Sequence, residues 1–419
     1  MEYKVFKNGA YNIHTIKTDR FKNIIFDVIF RNNIDKDTIQ ERTLLFDILV
    51  NSCNLYDTKR DINLKLEELY NAKFFSSTSR LGASILSTIE LDILNPKFTK
   101  DDYLEESVKL LFDFIFNPKV NINEFDINEV NTYKNYLKSD IICIEENPNR
   151  IAYERALKEA FKSSPTSIDV KGNLDTLDLI TTSSLYKTYQ DIIKHDYIDI
   201  FVIGDIDVNK IVDYINKYAK FNTIKSHKVT MGIENKTRLK VNKIVDNGDF
   251  SQSQILYFYN LNDLDEFDKR YTSKIYNMIL GGGSLETKLY RNLREKNSLC
   301  YGVYSSLMHY DSLIAVKTSV DKKNIKLSCK LIEDTIKEMN DVSQDELNKA
   351  ISSIVTSLNA SLDSPDRIID DYYFNYLGEI ESLDERIKKY KSVTLDDIKR
   401  INKYLKLNTI YILEGDENE

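Results

Sequence analysis

The order of strand-like and helix-like segments repeats once along the 419-residue chain, at a spacing of roughly 200 residues. Each half begins with short apolar strands, continues through helices of 3.6-residue periodicity, and ends in an apolar strand that runs into Gly-Asp. The two terminal strands read FVIGD (201–205) and YILEGD (411–416). A repeat on this scale predicts a duplicated domain. Strands that alternate with long helices in this order predict an α+β fold for each copy.

The predicted boundary between the two halves lies in a polar stretch that shows no periodicity. Residues 1–228 are predicted to form the N-terminal domain, residues 229–240 a linker, and residues 241–419 the C-terminal domain. Proline and glycine are scarce, at 5 and 12 residues. We therefore expect long regular elements with few loose connections between them.

The charge pattern excludes several classes of partner. The net charge is −8, and acidic and basic residues are interspersed, so neither nucleic acid nor an anionic membrane is an expected partner. The longest apolar runs, NIIFDVIF and LLFDFIF, fall far short of the ~20 residues that span a bilayer. The N-terminus lacks the apolar core of a signal peptide, so the expected location is the cytoplasm.

A search for catalytic motifs assigns no catalytic residue to this chain. None of the four histidines has a second histidine four residues away, and H-x-x-E-H and H-E-x-x-H are both absent. The nucleophile elbow, the P-loop and the dinucleotide-binding glycine pattern are absent as well. The four cysteines form no C-x-x-C pair, which favours reduced thiols over a zinc or redox motif.

One segment, GGGSLETKLYRNLREKNSLCYGVYSS (281–306), stands apart from the rest. It opens with 3 of the 12 glycines (Gly281, Gly282 and Gly283), and Arg294 and Tyr301 follow seven residues apart. The glycines alone are compatible with a phosphate cradle, although the Lys-Ser/Thr pair of a P-loop is missing. A turn followed by a helix N-cap at Ser284 is the simpler interpretation. Residue types alone would make the Arg and Tyr an exposed ion-pairing side chain and a strand tyrosine.

This segment closely resembles the signature in the C-terminal half of pitrilysin/insulysin zinc metallopeptidases, a group that includes mitochondrial processing peptidase. LYRNLREKNSLCY matches the group's pattern LxxxLREKxxLxY, and residues 117–134 and 172–207 resemble flanking parts of the same group. The resemblance implies two tandem pitrilysin-like domains. Each would be a mainly antiparallel sheet packed with helices.

The resemblance also implies where the group's zinc site would lie, on the first helix of the first domain. The residues at the H-x-x-E-H motif are TLLFD, so that Thr43 and Asp47 take the histidine positions and Phe46 that of the general base. The third ligand, a glutamate in the group, falls near Asp140. Thr and Phe supply neither an imidazole nor a base, and two aspartates make a poor zinc site. The chain is expected to hold no zinc and to hydrolyse no peptide by itself.

In the group, the Arg–Tyr pair resembles a clamp on the substrate's peptide carbonyl, and some members divide the two halves of the site between two chains. The resemblance therefore implies a non-catalytic subunit in which Arg294, Tyr301 and the loop Gly281–Gly283 bind substrate. A zinc-bearing H-x-x-E-H partner would complete a chamber that degrades or processes peptides. A peptide-binding or scaffold protein without proteolysis is the alternative, and a hydrolase with Mg²⁺ or Mn²⁺ at Asp47 and Asp140 is a third. The sequence does not decide whether the chain also forms a homodimer.

Overall fold

The computed structural model describes residues 1–222, 227–283, 285–378 and 381–416. The chain forms two compact units, the first comprising Met1–Cys143 with Asp169–Met231 and the second Ile144–Ile168 with Gly232–Glu419. The linker at residues 229–240, with one domain on each side of it, remains a prediction. The structure adds that residues 144–168 pack with the C-terminal part of the chain, which was not predicted from their sequence.

The elements of the N-terminal half are, in chain order, β1 (Glu2–Lys7), β2 (Asn12–Lys17), β3 (Asn23–Asn33), α1 (Ile39–Leu49), α2 (Lys59–Glu68), β4 (Lys73–Leu81), β5 (Ser84–Leu94), α3 (Leu104–Phe116), β6 (Val120–Asn121), β7 (Glu124–Phe125), α4 (Ile127–Glu145), α5 (Pro148–Ala160), α6 (Leu174–Leu179), α7 (Thr182–His195), β8 (Tyr197–Gly204) and α8 (Val208–Tyr218). Those of the C-terminal half are β9 (Asn242–Asn247), β10 (Ser253–Asn260), α9 (Ser273–Leu280), β11 (Cys300–Met308), β12 (Leu313–Val320), α10 (Ile325–Glu338), α11 (Gln344–Ser361), α12 (Pro365–Leu377), α13 (Leu383–Lys391), α14 (Leu395–Tyr404) and β13 (Lys406–Glu414).

The first unit is built on a six-stranded sheet in the order β1-β2-β8-β3-β5-β4. Only β2 and β8 pair in parallel, and every other pair in this sheet is antiparallel. The strands β2 and β3 were predicted from alternation at residues 10–31. They are not neighbours in the sheet, because β8 lies between them and pairs with both.

The second unit repeats this arrangement with five strands in the order β11-β12-β10-β13-β9. Here β13 and β9 form the parallel pair, and β10 lies between β12 and β13 with antiparallel pairing to both. The strands β9, β13, β10, β12 and β11 thus occupy the places of β2, β8, β3, β5 and β4. The predicted α+β fold of two duplicated, mainly antiparallel domains is confirmed.

Helix α5 explains why residues 144–168 pack with the second unit. Ala152 and Ala156 are buried one helical turn apart and belong to one apolar cluster with Leu256 and Phe258 of β10. Small side chains at this spacing let the helix lie close to the sheet. Among the described residues, no helix is both long enough and apolar enough to cross a membrane.

Candidate functional site

The glycines of residues 281–283 are required by close packing at the end of α9. The backbone N–H of Gly281 donates to Asn277 O, and its carbonyl accepts from Ser305 N of β11 at 2.9 Å. A Cβ on Gly281 would lie 2.7 Å from Ser305 N, and one on Gly282 would lie 2.6 Å from Asn277 Nδ2. Gly283 has a φ of +128°, which other residues rarely adopt. The predicted N-cap, Ser284, lies outside the described residues.

The helical segment after this turn is wound as a π-helix over Tyr290–Glu295. Lys296 N donates to Arg291 O, which is the i→i−5 pattern, and Leu293 of the same turn is fully buried. Leu299 N then bonds to Leu293 O at 3.0 Å and directs the chain into β11. A plain helix was expected here, because apolar periodicity does not distinguish a π-turn from an α-turn.

The structure brings Arg294 and Tyr301 together. The Nη1 of Arg294 donates to Cys300 O at 2.9 Å, and its guanidinium carbon lies 5.1 Å from the centre of the Tyr301 ring. Tyr301 itself is 84% exposed. The pairing of β11 with β12 is irregular between Cys300 and Val303, so Tyr301 sits at a bulge on an edge strand. The result is a guanidinium and a phenol, both hydrogen-bond donors, placed side by side on the surface of the second unit.

The residues that correspond to the zinc motif lie on α1. Two of them, Thr43 and Phe46, are engaged in a backbone hydrogen bond and in core packing rather than in a metal site. Thr43 is 9% exposed, and its hydroxyl donates to Val170 O at 2.6 Å, with Ile39 O at 3.2 Å. Phe46 is 1% exposed and packs edge-to-face against Phe30, 5.1 Å between ring centres. The position of the general base is therefore filled by part of the hydrophobic core.

The two carboxylates at the remaining positions each have a partner. Asp140 on α4 accepts from Lys171 Nζ at 2.6 Å, and Asp47 accepts a weak hydrogen bond from Ser76 Oγ at 3.4 Å. Burial raises the pKa of Asp47, the Ser76 hydroxyl lowers it, the charge of Asp140 raises it, and Lys171 lowers it. Asp47, Asp140 and Lys171 therefore form one electrostatic group.

These residues do not fit a zinc ion. A catalytic zinc needs three protein ligands and an open position, whereas here one ligand is a hydroxyl committed to a carbonyl and one carboxylate is committed to an ammonium. Within the described ranges, no group of three or more His, Cys, Asp or Glu side chains is placed to hold a metal. We derive no chemical step through a metal in this chain.

Lys171 was missed by the sequence analysis. It lies roughly 30 residues beyond Asp140 along the chain, in a stretch without periodicity, and only the fold brings it to α4. The one sign of a turn in the local sequence was Gly172. In the structure this glycine has a φ of +66°, which fixes the turn next to Lys171.

The chain is similar to several known proteins in sequence and in fold. Residues 180–354 match the family model described as the peptidase M16 inactive domain. A protein of Bacillus subtilis (strain 168), "Probable inactive metalloprotease YmfF", is 27% identical over 98% of this chain and 97% of its own. A conserved protein of Enterococcus faecalis V583 is 25% identical, with a TM-score of 0.93, covering 100% of this chain and 99% of its own.

A third match shows the fold alone. The peptidase M16 inactive domain from Pseudomonas fluorescens has a TM-score of 0.81 at 17% identity, over 100% of this chain and 98% of its own. Together, the full-length structural matches and the match to the inactive-domain model confirm the resemblance that was inferred from residues 281–306. The chain is thus similar to the peptidase M16 inactive domain and to a probable inactive metalloprotease.

Proposed function

We propose that this chain is the non-catalytic subunit of a two-chain peptidase, and that its partner carries zinc on an H-x-x-E-H helix. Arg294 and Tyr301 bind the peptide that the partner cleaves, and the loop Gly281–Gly283 supports them. The partner supplies the metal that activates water, and this chain supplies hydrogen-bond donors.

The observation that carries this proposal is a contrast between the two units. The first unit has a Thr hydroxyl, a core Phe and an ion-paired Asp at the positions where metal chemistry requires other residues. The second unit keeps an oriented pair, a half-buried Arg294 beside an exposed Tyr301. Tyr301 is 84% exposed and Arg294 is held beside it, so both side chains can be reached by a ligand from solvent.

The geometry suits recognition of a peptide carbonyl. The bond from Arg294 Nη1 to Cys300 O and the stacking on Tyr301 fix the guanidinium plane before any ligand arrives. The other guanidinium N–H groups and the phenol O–H can then donate to one carbonyl oxygen. Fixed donors of this kind stabilise the negative charge that develops on that oxygen when water attacks the carbonyl carbon. The name of the Bacillus subtilis relative, a probable inactive metalloprotease, is consistent with such a subunit.

The experiment reconstitutes the chain with a pitrilysin-like chain that carries H-x-x-E-H and measures cleavage of a quenched fluorescent peptide library. Arg294→Ala should lower kcat/KM by about 10²–10³, the effect of losing one donor to the reacting oxygen. Tyr301→Phe should lower it by about tenfold or more, because only the hydroxyl is lost. The mass of the complex should not change.

Matched controls come from the same two elements. Lys296→Ala removes an exposed cation two residues from Arg294, and Tyr304→Phe removes a hydroxyl from another exposed tyrosine of β11. Both should cleave like the wild type. If Arg294→Ala and Tyr301→Phe also cleave like the wild type, the shared-site proposal is wrong.

The peptide-binding or scaffold alternative gives a different result. In that case the isolated chain would bind peptides in a manner that depends on Arg294, but the complex would show no cleavage that responds to the variants. Stoichiometric metal together with peptidase activity in the purified chain alone would contradict both accounts and favour a site at Asp47 and Asp140.

A further inference from the structure

A short segment of the first unit, residues 169–173 (DVKGN), is packed against α1. This helix carries TLLFD (43–47) where the resemblance places the zinc motif, and these five residues are called the degenerate motif. Thr43 donates to Val170 O at 2.6 Å. The Nε2 of Gln40, one turn earlier on α1, donates to Lys171 O at 2.7 Å and to Asn173 O at 2.9 Å. Three hydrogen bonds from α1 thus hold the backbone on both sides of Lys171.

The conformation of this segment is fixed by its own residues. Gly172 has a φ of +66°, and a Cβ there would lie 2.5 Å from Gln40 Cδ, so glycine is required for both reasons. Lys171 N donates to Asp169 Oδ1 at 2.9 Å, and Gln40 Oε1 accepts from Thr176 Oγ1 at 2.6 Å. The Lys171 side chain therefore leaves the backbone from a defined point.

The Lys171 side chain places its ammonium group in hydrogen-bonding range of Asp140 on α4, and its charge acts on Asp47 on α1. Lys171 Nζ lies 2.6 Å from Asp140 Oδ2, and its side chain is 28% exposed. The charges that act on Asp47 are those of Asp140, which is repulsive, and of Lys171, which is attractive. Two carboxylates near one another repel, and a cation placed beside one of them opposes this repulsion.

We propose that the Lys171 ammonium takes the place of the metal ion in this chain. It serves as the counter-ion for Asp140 on α4, its charge opposes that of Asp140 at Asp47 on α1, and it excludes a divalent cation from this position. The segment 169–173 is the device that holds it there. This inference concerns the first unit and stands apart from the role proposed for Arg294 and Tyr301.

The test restores two ligands and asks whether Lys171 blocks the metal. In Thr43→His/Asp47→His, two imidazoles join Asp140 as a set of three ligands, which is the number that a zinc ion needs. We expect no zinc in this variant, measured by equilibrium dialysis and mass spectrometry, and no change in Tm on adding zinc. Adding Lys171→Ala should allow about one zinc per chain and should raise Tm in the presence of zinc.

The matched control adds Lys138→Ala instead, because Lys138 is an exposed lysine on α4 two residues from Asp140. It should bind no more zinc than the double variant. Equal zinc binding with and without Lys171 would overturn the proposal. So would the absence of zinc from every variant whose far-UV circular dichroism matches that of the wild type, since the position would then not be that of a metal.

A second measurement does not depend on the new ligands. Lys171→Met in the otherwise unchanged chain should raise the unfolding equilibrium constant about two- to fivefold, and the same change in an Asp140→Asn background should have almost no effect. Equal effects in both backgrounds would show that Lys171 is not the counter-ion of Asp140, and the proposal would fail.

Discussion

Replacing Arg42 by methionine removes the cation from a buried ion pair that fixes α1, the helix of the degenerate motif. Arg42 is 5% exposed and Asp196 0% exposed, and Arg42 Nη2 donates to Asp196 Oδ2. Arg42 also donates to Ser87 Oγ at 2.8 Å and to Phe30 O at 3.0 Å. Methionine keeps most of the aliphatic volume, so the change tests these polar contacts rather than a cavity.

The expected loss in the free energy of unfolding follows from the Asp196 carboxylate, which remains buried. Asp196 keeps the hydrogen bond from Asn32 Nδ2 at 2.7 Å but loses its counter-charge inside the protein. Removing one partner of a buried pair costs about 3–5 kcal/mol, a large part of the ~5–15 kcal/mol that holds a typical domain folded. Adding Asp196→Asn removes the stranded charge and should recover about 1–3 kcal/mol of that loss.

Urea titration followed by far-UV circular dichroism measures this directly. With a slope of about 2–3 kcal/mol per molar urea, Arg42→Met should lower the midpoint for the first unit by about 1–2 M. Arg42→Met/Asp196→Asn should lie between that variant and the wild type. A midpoint for Arg42→Met within about 0.3 M of the wild type, or a double variant weaker than the single one, would refute the reasoning.

Two further predictions concern the second unit. Gly281→Ala places a Cβ 2.7 Å from Ser305 N and should destabilise the unit by about 1–3 kcal/mol, whereas Gly232→Ala, with nothing within 4 Å, should be nearly neutral in the same urea titration. Equal midpoints for the two variants would contradict the packing argument. Burial, reinforced by the charge of Lys274, lowers the pKa of His309 from 6.5 to about 4. The unfolded chain therefore binds a proton at His309 more tightly than the folded chain does. As the pH falls from 6.5 to 4, this difference lowers the free energy of unfolding by about 1–3 kcal/mol, after allowance for the partial exposure of His309. His309→Gln should reduce the fall in Tm over that range, and a profile parallel to that of the wild type would show that His309 is not responsible.

Several features of the molecule could be predicted because their signals are local. Helical periodicity, alternating strands and the terminal Gly-Asp repeats depend on neighbouring residues, so the duplicated α+β fold follows from the sequence. The resemblance carried by residues 281–306 implied that Arg294 and Tyr301 act as a pair, and the structure places them side by side. Their substrate-binding role stays a proposal.

Other features depend on contacts between distant residues, and periodicity carries no information about these. The insertion of β8 between β2 and β3 pairs residues more than 150 positions apart, for example Phe26 with Val202. The packing of α5 on β10 joins segments roughly 100 residues apart, and it assigned residues 144–168 to the second unit.

The sequence by itself determined that H-x-x-E-H is absent and that Thr43 and Phe46 stand where the resemblance implies a ligand and a general base. No fold can turn these side chains into an imidazole or a base. The sequence also determined that the two halves are copies of one architecture. Only the tertiary structure decided what occupies the degenerate position. Side chains and backbone from α1, α4 and residues 169–173 meet there, and the charge of Lys171 acts on Asp47 and Asp140 because folding brings three separate parts of the chain within hydrogen-bonding and electrostatic range.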